Sequence, residues 1–256
     1  MEPEISYFEL QAYMGTTKHL GGLDSTRELI SRCQVSADAG GLRVLDAGCG
    51  VGATACYLVK TYGCRVTGID LRESMVERAR ERAQREGVAG QATFRTADVR
   101  DLPFEDESFD VVLCESVATF VEDKQQVVDE LVRVVKAGGR VGLNEQVWLQ
   151  PPTEEMRQFA RHMWDITAEI PTQEDWERML TVAGVGELDV RICRYDPRRE
   201  ASQVKRYRAR ELWLMFWRTA GLFVKSASFR AYMAKRERVP KGFFDHLAYV
   251  AMVGTR

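Results

Sequence analysis

None of the 256 residues lies in an apolar run approaching the roughly 18 residues of a membrane-spanning helix. Paired cysteines are missing as well. Cys33, Cys49, Cys56, Cys64, Cys114 and Cys193 are scattered without a Cys-x-x-Cys pair, which argues against a zinc site and for reduced, mostly buried thiols. There is no internal repeat and no low-complexity segment. Formal net charge is only −2, so nothing draws the whole molecule toward nucleic acid. The opening stretch, residues 1–15, is acidic and interrupted by polar residues, unlike a signal or transit peptide, and a cytoplasmic location is expected. Charge is lopsided in one place: residues 197–241 carry 13 Lys/Arg against 3 Asp/Glu.

What is present is a rhythm of short β-branched runs alternating with helical patterns, as in a parallel sheet. Strands are predicted at 43–46, 65–70, 92–96, 109–115 and 140–145. Helices are predicted at 51–62, 73–86 and 124–135, the last closed by a Lys-Ala-Gly-Gly stop. Beyond Pro151 the pattern gives helices at 153–166 and 173–183, a strand at 188–195, helices across 199–238 and a closing strand at 248–254. A single domain follows: an N-terminal cap (1–38), a ligand-binding core (39–150) and a second half of helices and last strands (151–256).

The strongest motif is Val44-Leu45-Asp46-Ala47-Gly48-Cys49-Gly50-Val51-Gly52. A buried strand ends in a carboxylate and enters Gly-x-Gly-x-Gly at a helix start. The glycines permit a tight turn and close approach of a ligand to backbone, and the helix start offers unpaired N–H groups to an anion. Gly48, Gly50 and Ala53 also satisfy the dinucleotide pattern G-x-G-x-x-A, so a nicotinamide-dependent oxidoreductase is the competing reading. Asp46 opposes it, because a carboxylate there repels a pyrophosphate and attracts a ligand bearing an ammonium and a sulfonium. Asp70 ends the second strand, where it either accepts hydrogen bonds from ribose hydroxyls or caps the following helix.

Asp46–Gly52, Gly68-Ile69-Asp70-Leu71, Ala97-Asp98-Val99 with Leu102-Pro103-Phe104, and Ser108-Phe109-Asp110 resemble, in order and spacing, four successive motifs of class I S-adenosylmethionine-dependent methyltransferases. Arg133–Gly139 resembles their lead into the fifth strand, with Ala137 where many relatives carry proline. The resemblance implies a three-layer α/β/α sandwich with a seven-stranded, mostly parallel sheet in the order 3-2-1-4-5-7-6, the seventh strand antiparallel. It also implies S-adenosylmethionine as cofactor. The turn of Asp46, Ala47, Gly48, Cys49, Gly50 and Gly52 would hold the methionine part. Asp70 would hold the ribose, Leu71 one face of the adenine, and Ala97, Asp98 and Val99 the adenine amino group and ring. Glu115 and Ser116 would lie beside the transferable methyl.

Methyl transfer from a sulfonium needs positioning, proton removal and exclusion of water more than a dedicated catalytic group. Glu115 and Glu145, at the tips of adjacent strands, are candidates for a general base or a counter-charge. Equally, one could meet the cofactor and the other the N–H groups of a loop. The segment from Tyr7 and Phe8 through Tyr13 to Thr17, Lys18, His19 and the pair Gly21-Gly22 loosely resembles the cap of small-molecule relatives, phosphoethanolamine-type enzymes among them. As a lid it could bring Tyr13 or His19 to the substrate; its aromatics could also simply pack on the core. Trp213, Phe216, Trp217, Ala220 and Phe223 fall at helical spacing. Burial of that stripe with the arginines solvated is the expectation, and contact with an anionic membrane, favouring a lipid or quinone acceptor, is the alternative. The partner expected is a small-molecule substrate, with no nucleic acid, on a monomer or homodimer.

Overall fold

The computed structural model describes residues 7–16, 19–36, 40–164, 166–207, 209–234 and 238–256; Thr17 and Lys18 of the cap lie outside the described residues. Seven strands form one sheet: β1 (Arg43–Ala47), β2 (Arg65–Asp70), β3 (Ala92–Thr96), β4 (Phe109–Glu115), β5 (Val135–Trp148), β6 (Gly186–Arg194) and β7 (Leu247–Thr255). Their order is β3-β2-β1-β4-β5-β7-β6. β1 to β5 run parallel, and β7 is antiparallel to both its neighbours. The strand order that the family resemblance implies is therefore present.

The helices are α1 (Tyr7–Met14), α2 (Gly22–Arg32), α3 (Ala53–Tyr62), α4 (Glu73–Glu86), α5 (Lys124–Arg133), α6 (Glu154–Trp164), α7 (Gln173–Val182), α8 (Pro197–Ala201), α9 (Ala209–Lys225), α10 (Ala227–Ala234) and α11 (Phe243–His246). One face of the sheet is covered by α2, α3 and α4, through Leu29, Ile30, Leu58 and Val76 packed on Val44, Val111 and Leu113. The other is covered by α5 and α7, through Val128, Leu131, Trp176 and Leu180 packed on Leu45, Val112 and Leu143. A smaller cluster joins α6 and α11 to Trp148 at the end of β5. The central strands bury both faces, which is why they read as near-continuous apolar runs.

Two expectations are corrected. The Lys-Ala-Gly-Gly segment is no helix stop: α5 ends at Arg133, and Val135 already opens β5, which runs to Trp148. The β-branched pair Val134-Val135 favours strand, and Gly138, at φ 76, turns the chain inside it and donates its N–H to Arg256 O at 2.8 Å. The second correction concerns α9. Its aromatic stripe faces solvent, with Trp213 60%, Phe216 66%, Trp217 55% and Phe223 54% exposed. The opposite side is apolar too, and Leu214, Met215 and Leu222 are half-buried there. On that side Arg218 donates to Met14 O (3.3 Å) at the C-terminal end of α1, where a cation meets the helix dipole. Spacing reveals a stripe, not which of two apolar sides turns inward.

Candidate active site

A cavity of about 470 Å³ opens at the carboxyl ends of β1, β2 and β4, within the usual ligand-pocket range. Its floor is the glycine turn. Gly48 has φ 78, and a Cβ on it would stand 2.1 Å from Val117 Cγ2, so only glycine leaves the turn against the loop after β4. Gly48 and Cys49 both donate N–H groups to Ile69 O, at 2.8 and 2.7 Å, which ties the turn to β2.

Asp70 holds that turn from the side. Its Oδ2 accepts the Gly50 N–H and its Oδ1 the Arg72 N–H, both at 3.0 Å. Burial pushes its carboxyl above the usual range, while the Arg72 and Gly50 amides pull it back. The N-cap of α4 is Arg72, so Asp70 is not a simple helix cap. Leu71 and Val99 line the wall above it. Asp98 lies there too, its two oxygens held by the Arg100 guanidinium at 2.6–3.1 Å, and that contact keeps its carboxyl below the usual range.

At the other end Glu115, 2% exposed, meets His19, 3% exposed. His19 Nδ1 is 3.2 Å from Glu115 Oε1, and Thr26 Oγ1 donates to Glu115 Oε2 at 2.7 Å. Both His19 and Glu115 line the cavity. Ser116 follows with φ 60, a strained backbone for a non-glycine residue, and its Oγ accepts the Leu20 N–H at 3.1 Å. Asn144 donates to Leu20 O at 2.9 Å. The segment from His19 to Thr26 is thus stitched to the tips of β4 and β5 by buried polar contacts.

The two glutamates separate. Glu115 is in register with Asn144, so Glu145, one residue on, points to the opposite face. There it is fully buried and stands outside the cavity. Its Oε1 accepts the Val117 and Ala118 N–H groups (3.1 and 3.0 Å). Its Oε2 accepts the Thr119 N–H (3.0 Å) and hydroxyl (2.6 Å). Glu145 is the brace of the loop after β4, which corrects its candidacy as a base. Tyr13 is 45% exposed on α1 and likewise outside the cavity. Asp46, Ala47, Cys49, Gly52 and Ala97 stand behind the lining, Asp46 only 2% exposed beneath the turn.

Several lining residues lie outside the glycine-turn and strand-end motifs. Phe8 on α1 meets Phe120 edge-on at 5.3 Å, and the Arg72 guanidinium sits 5.2 Å from the Phe8 ring centre, making a roof. Thr167 donates to Glu122 at 2.6 Å and closes the far rim. These contacts join segments far apart in sequence, and the only hint of them was the aromatic character of residues 7–13. No cluster of potential metal ligands occurs among the described residues.

Residues 45–143 match the family described as a methyltransferase domain. The chain is 37% identical over 122 residues to the methyltransferase GfsG of Streptomyces halstedii, covering 48% of this chain and 43% of that protein. It is 30% identical over 186 residues to the O-methyltransferase cnsE of Penicillium expansum, covering 73% of this chain and 66% of that one. It therefore spans less than the full length of these relatives. A solved phosphoethanolamine N-methyltransferase 2 of Haemonchus contortus, in complex with phosphomonomethylethanolamine and S-adenosylhomocysteine, superposes with a TM-score of 0.72 at 19% identity. That superposition covers 100% of this chain and 59% of that one.

Proposed function

Given that the chain belongs to the class I S-adenosylmethionine-dependent methyltransferases, we propose that it methylates a nucleophilic atom of a small-molecule acceptor, with the His19–Glu115 pair receiving the acceptor's proton. One observation carries this reading: a single cavity joins the glycine turn and Asp70 to a buried imidazole–carboxylate pair.

The residues present suit the cofactor. Backbone amides at a helix start sit beside carboxylates, a mixture that suits a zwitterionic, hydroxyl-bearing cation better than a dianionic pyrophosphate. The buried Asp46 under the turn adds to that preference, which sets the nicotinamide reading aside. Gly48 and Gly50 would pass along the methionine part, and Asp70 would accept from the ribose hydroxyls. Leu71 and Val99 would flank the adenine. Asp98 would accept the adenine amino group once Arg100 yields one of its bonds to it. Bound there, S-adenosylmethionine would supply an electrophilic methyl carbon to the acceptor, with the neutral thioether as leaving group.

The chain's own part is positioning and proton removal. Donation of Nδ1–H to Glu115 would fix the tautomer and orientation of the His19 ring. Thr26, on α2, holds the carboxylate in place. The Phe8, Arg72 and Phe120 roof keeps water from the reacting atoms.

The test is calorimetric titration with S-adenosylmethionine, S-adenosylhomocysteine and NADH, on the natural protein and Asp70→Ala. Binding of the first two, lost in the variant, supports the reading and leads to a radiolabelled-methyl screen of amines, thiols, phenols and lipids. Binding of NADH alone overturns it. With an acceptor in hand, His19→Gln should lower kcat about 10²–10⁴-fold, cofactor affinity being kept. An unchanged kcat would remove His19 from the chemistry.

A further inference from the structure

The outward side of α9 takes no part in the reaction proposed above. Five large apolar side chains project from it into solvent: Trp213, Phe216, Trp217, Phe223 and Val224, the last 77% exposed. Trp213 and Trp217 stand edge-to-face at 5.9 Å and Phe216 and Trp217 at 5.7 Å, so three rings form one continuous plateau. A patch of that kind on a single chain marks a contact surface. It is also tied to neighbouring elements by polar contacts. Glu211 receives Arg85 of α4 at 2.7 Å, Arg218 reaches the end of α1, and Arg230 caps the helix by donating to Phe223 O (2.9 Å) and Val224 O (3.1 Å).

The charge around it selects the occupant. Arg210 and Lys225 are exposed at the two ends of α9, and Arg230, Arg238 and Lys241 are exposed in the segment that follows. They belong to the tract of 13 basic against 3 acidic residues. A second copy meeting this face through a two-fold axis would set the same excess positive charge on both sides, which like-charge repulsion opposes. Tryptophan and phenylalanine on one helix side, with an exposed arginine and an exposed lysine at the two ends of that helix, match the headgroup layer of an anionic bilayer, where rings sit at the acyl boundary and cations over the phosphates.

We propose that α9 docks this protein on an anionic lipid bilayer, with the Trp213–Phe216–Trp217 plateau seated among the headgroups. Docking stands on this surface alone and does not depend on the methyl-transfer reading. It would also set the roof of the cavity beside the membrane, since α1 packs on α9 and supplies Phe8 and Gln11 to the lining.

Flotation of the full chain with vesicles of phosphatidylcholine alone, and of phosphatidylcholine mixed with phosphatidylglycerol, tests the proposal. Binding should require the anionic lipid and release near 1 M salt, where the Debye length is about 3 Å. It should fall about tenfold or more in the triple variant Trp213→Ser, Phe216→Ser, Trp217→Ser, because its apolar contribution is removed. These side chains are exposed, so thermal melting of the variant should match that of the parent. If the variant misfolds, brominated phosphatidylglycerol decides on the parent protein, because only tryptophans in the bilayer surface are quenched at contact range, and Trp148, Trp164 and Trp176 are buried. Absence of binding to the anionic vesicles, equal binding by a folded triple variant, or no quenching would overturn the proposal. So would a dimer of the parent that the triple variant dissolves.

Discussion

Replacing Glu145 by alanine separates a structural brace from a catalytic base. The carboxylate takes four donors from Val117, Ala118 and Thr119 and is fully buried. Burial pushes its carboxyl above the usual range, and those same donors pull it back. Net contributions of hydrogen bonds to a charged group run to about 1.5–3 kcal/mol each. They do not add, because holding the charge in the interior offsets part of the gain. Removing one partner of such a buried arrangement costs about 3–5 kcal/mol, a large share of the ~5–15 kcal/mol of a typical domain. For a chain of this size that lowers Tm by roughly 6–20 °C. Urea unfolding followed by circular dichroism measures it. Glu145→Gln, which keeps one acceptor oxygen but turns an amide NH₂ toward backbone donors, should fall between parent and alanine. A loss below about 1 kcal/mol together with abolished methyl transfer would refute the reasoning and return Glu145 to the chemistry.

Gly48→Ala should abolish cofactor binding in calorimetry and lower stability by a few kcal/mol, since φ 78 disfavours a side chain and its Cβ would overlap Val117. If Asp70 accepts the ribose hydroxyls as proposed, it does so best as the carboxylate, so cofactor affinity should be full above its pKa and fall as pH drops through it. Because burial raises that pKa, the loss should begin at higher pH than for an ordinary aspartate, and titration across the acid range reads the inflection. Of the six thiols, only Cys193 should react rapidly with a disulfide reagent in the native state. The other five are buried, and burial pushes Cys33 and Cys56 up to about 12; unfolding should expose all of them. Fast reaction of a second thiol in the native state would show that the sheet opens locally.

The glycine-turn side of the cavity was legible in the sequence because its signals are local. A strand ending in Asp46, a turn that tolerates only glycine at position 48, and Asp70 at the next strand end each state their geometry within a few residues. The helical second half was legible as pattern but not as orientation, and α9 shows why. Leu214, Met215 and Leu222 offered a second apolar side, and which one faced inward was settled by Arg218 reaching the end of α1 and Glu211 reaching α4. Those are long-range polar contacts that no periodicity encodes. Likewise the roof of Phe8, Arg72 and Phe120 joins three distant segments.

The glutamate pair carries the point furthest. Glu115 and Glu145 looked equivalent as acids at neighbouring strand tips, but side chains alternate across a sheet, so their fates hang on register. The register places Asn144, not Glu145, beside Glu115, with a shift between Phe109 and Val111 where β5 begins earlier than its sequence suggests. Asn144 therefore shares the α2 face with Glu115 and grips Leu20 O, while Glu145 is left on the α5 side to hold the loop. A one-residue slip of β5 would put Glu145 in the place of Asn144, beside Glu115 and Leu20 O, and leave the Val117, Ala118 and Thr119 N–H groups without an acceptor. The cap's polar contacts and the loop's amides thus select the same register from opposite sides of the sheet, so the division between the glutamate that meets His19 and the one that holds the loop belongs to the fold itself.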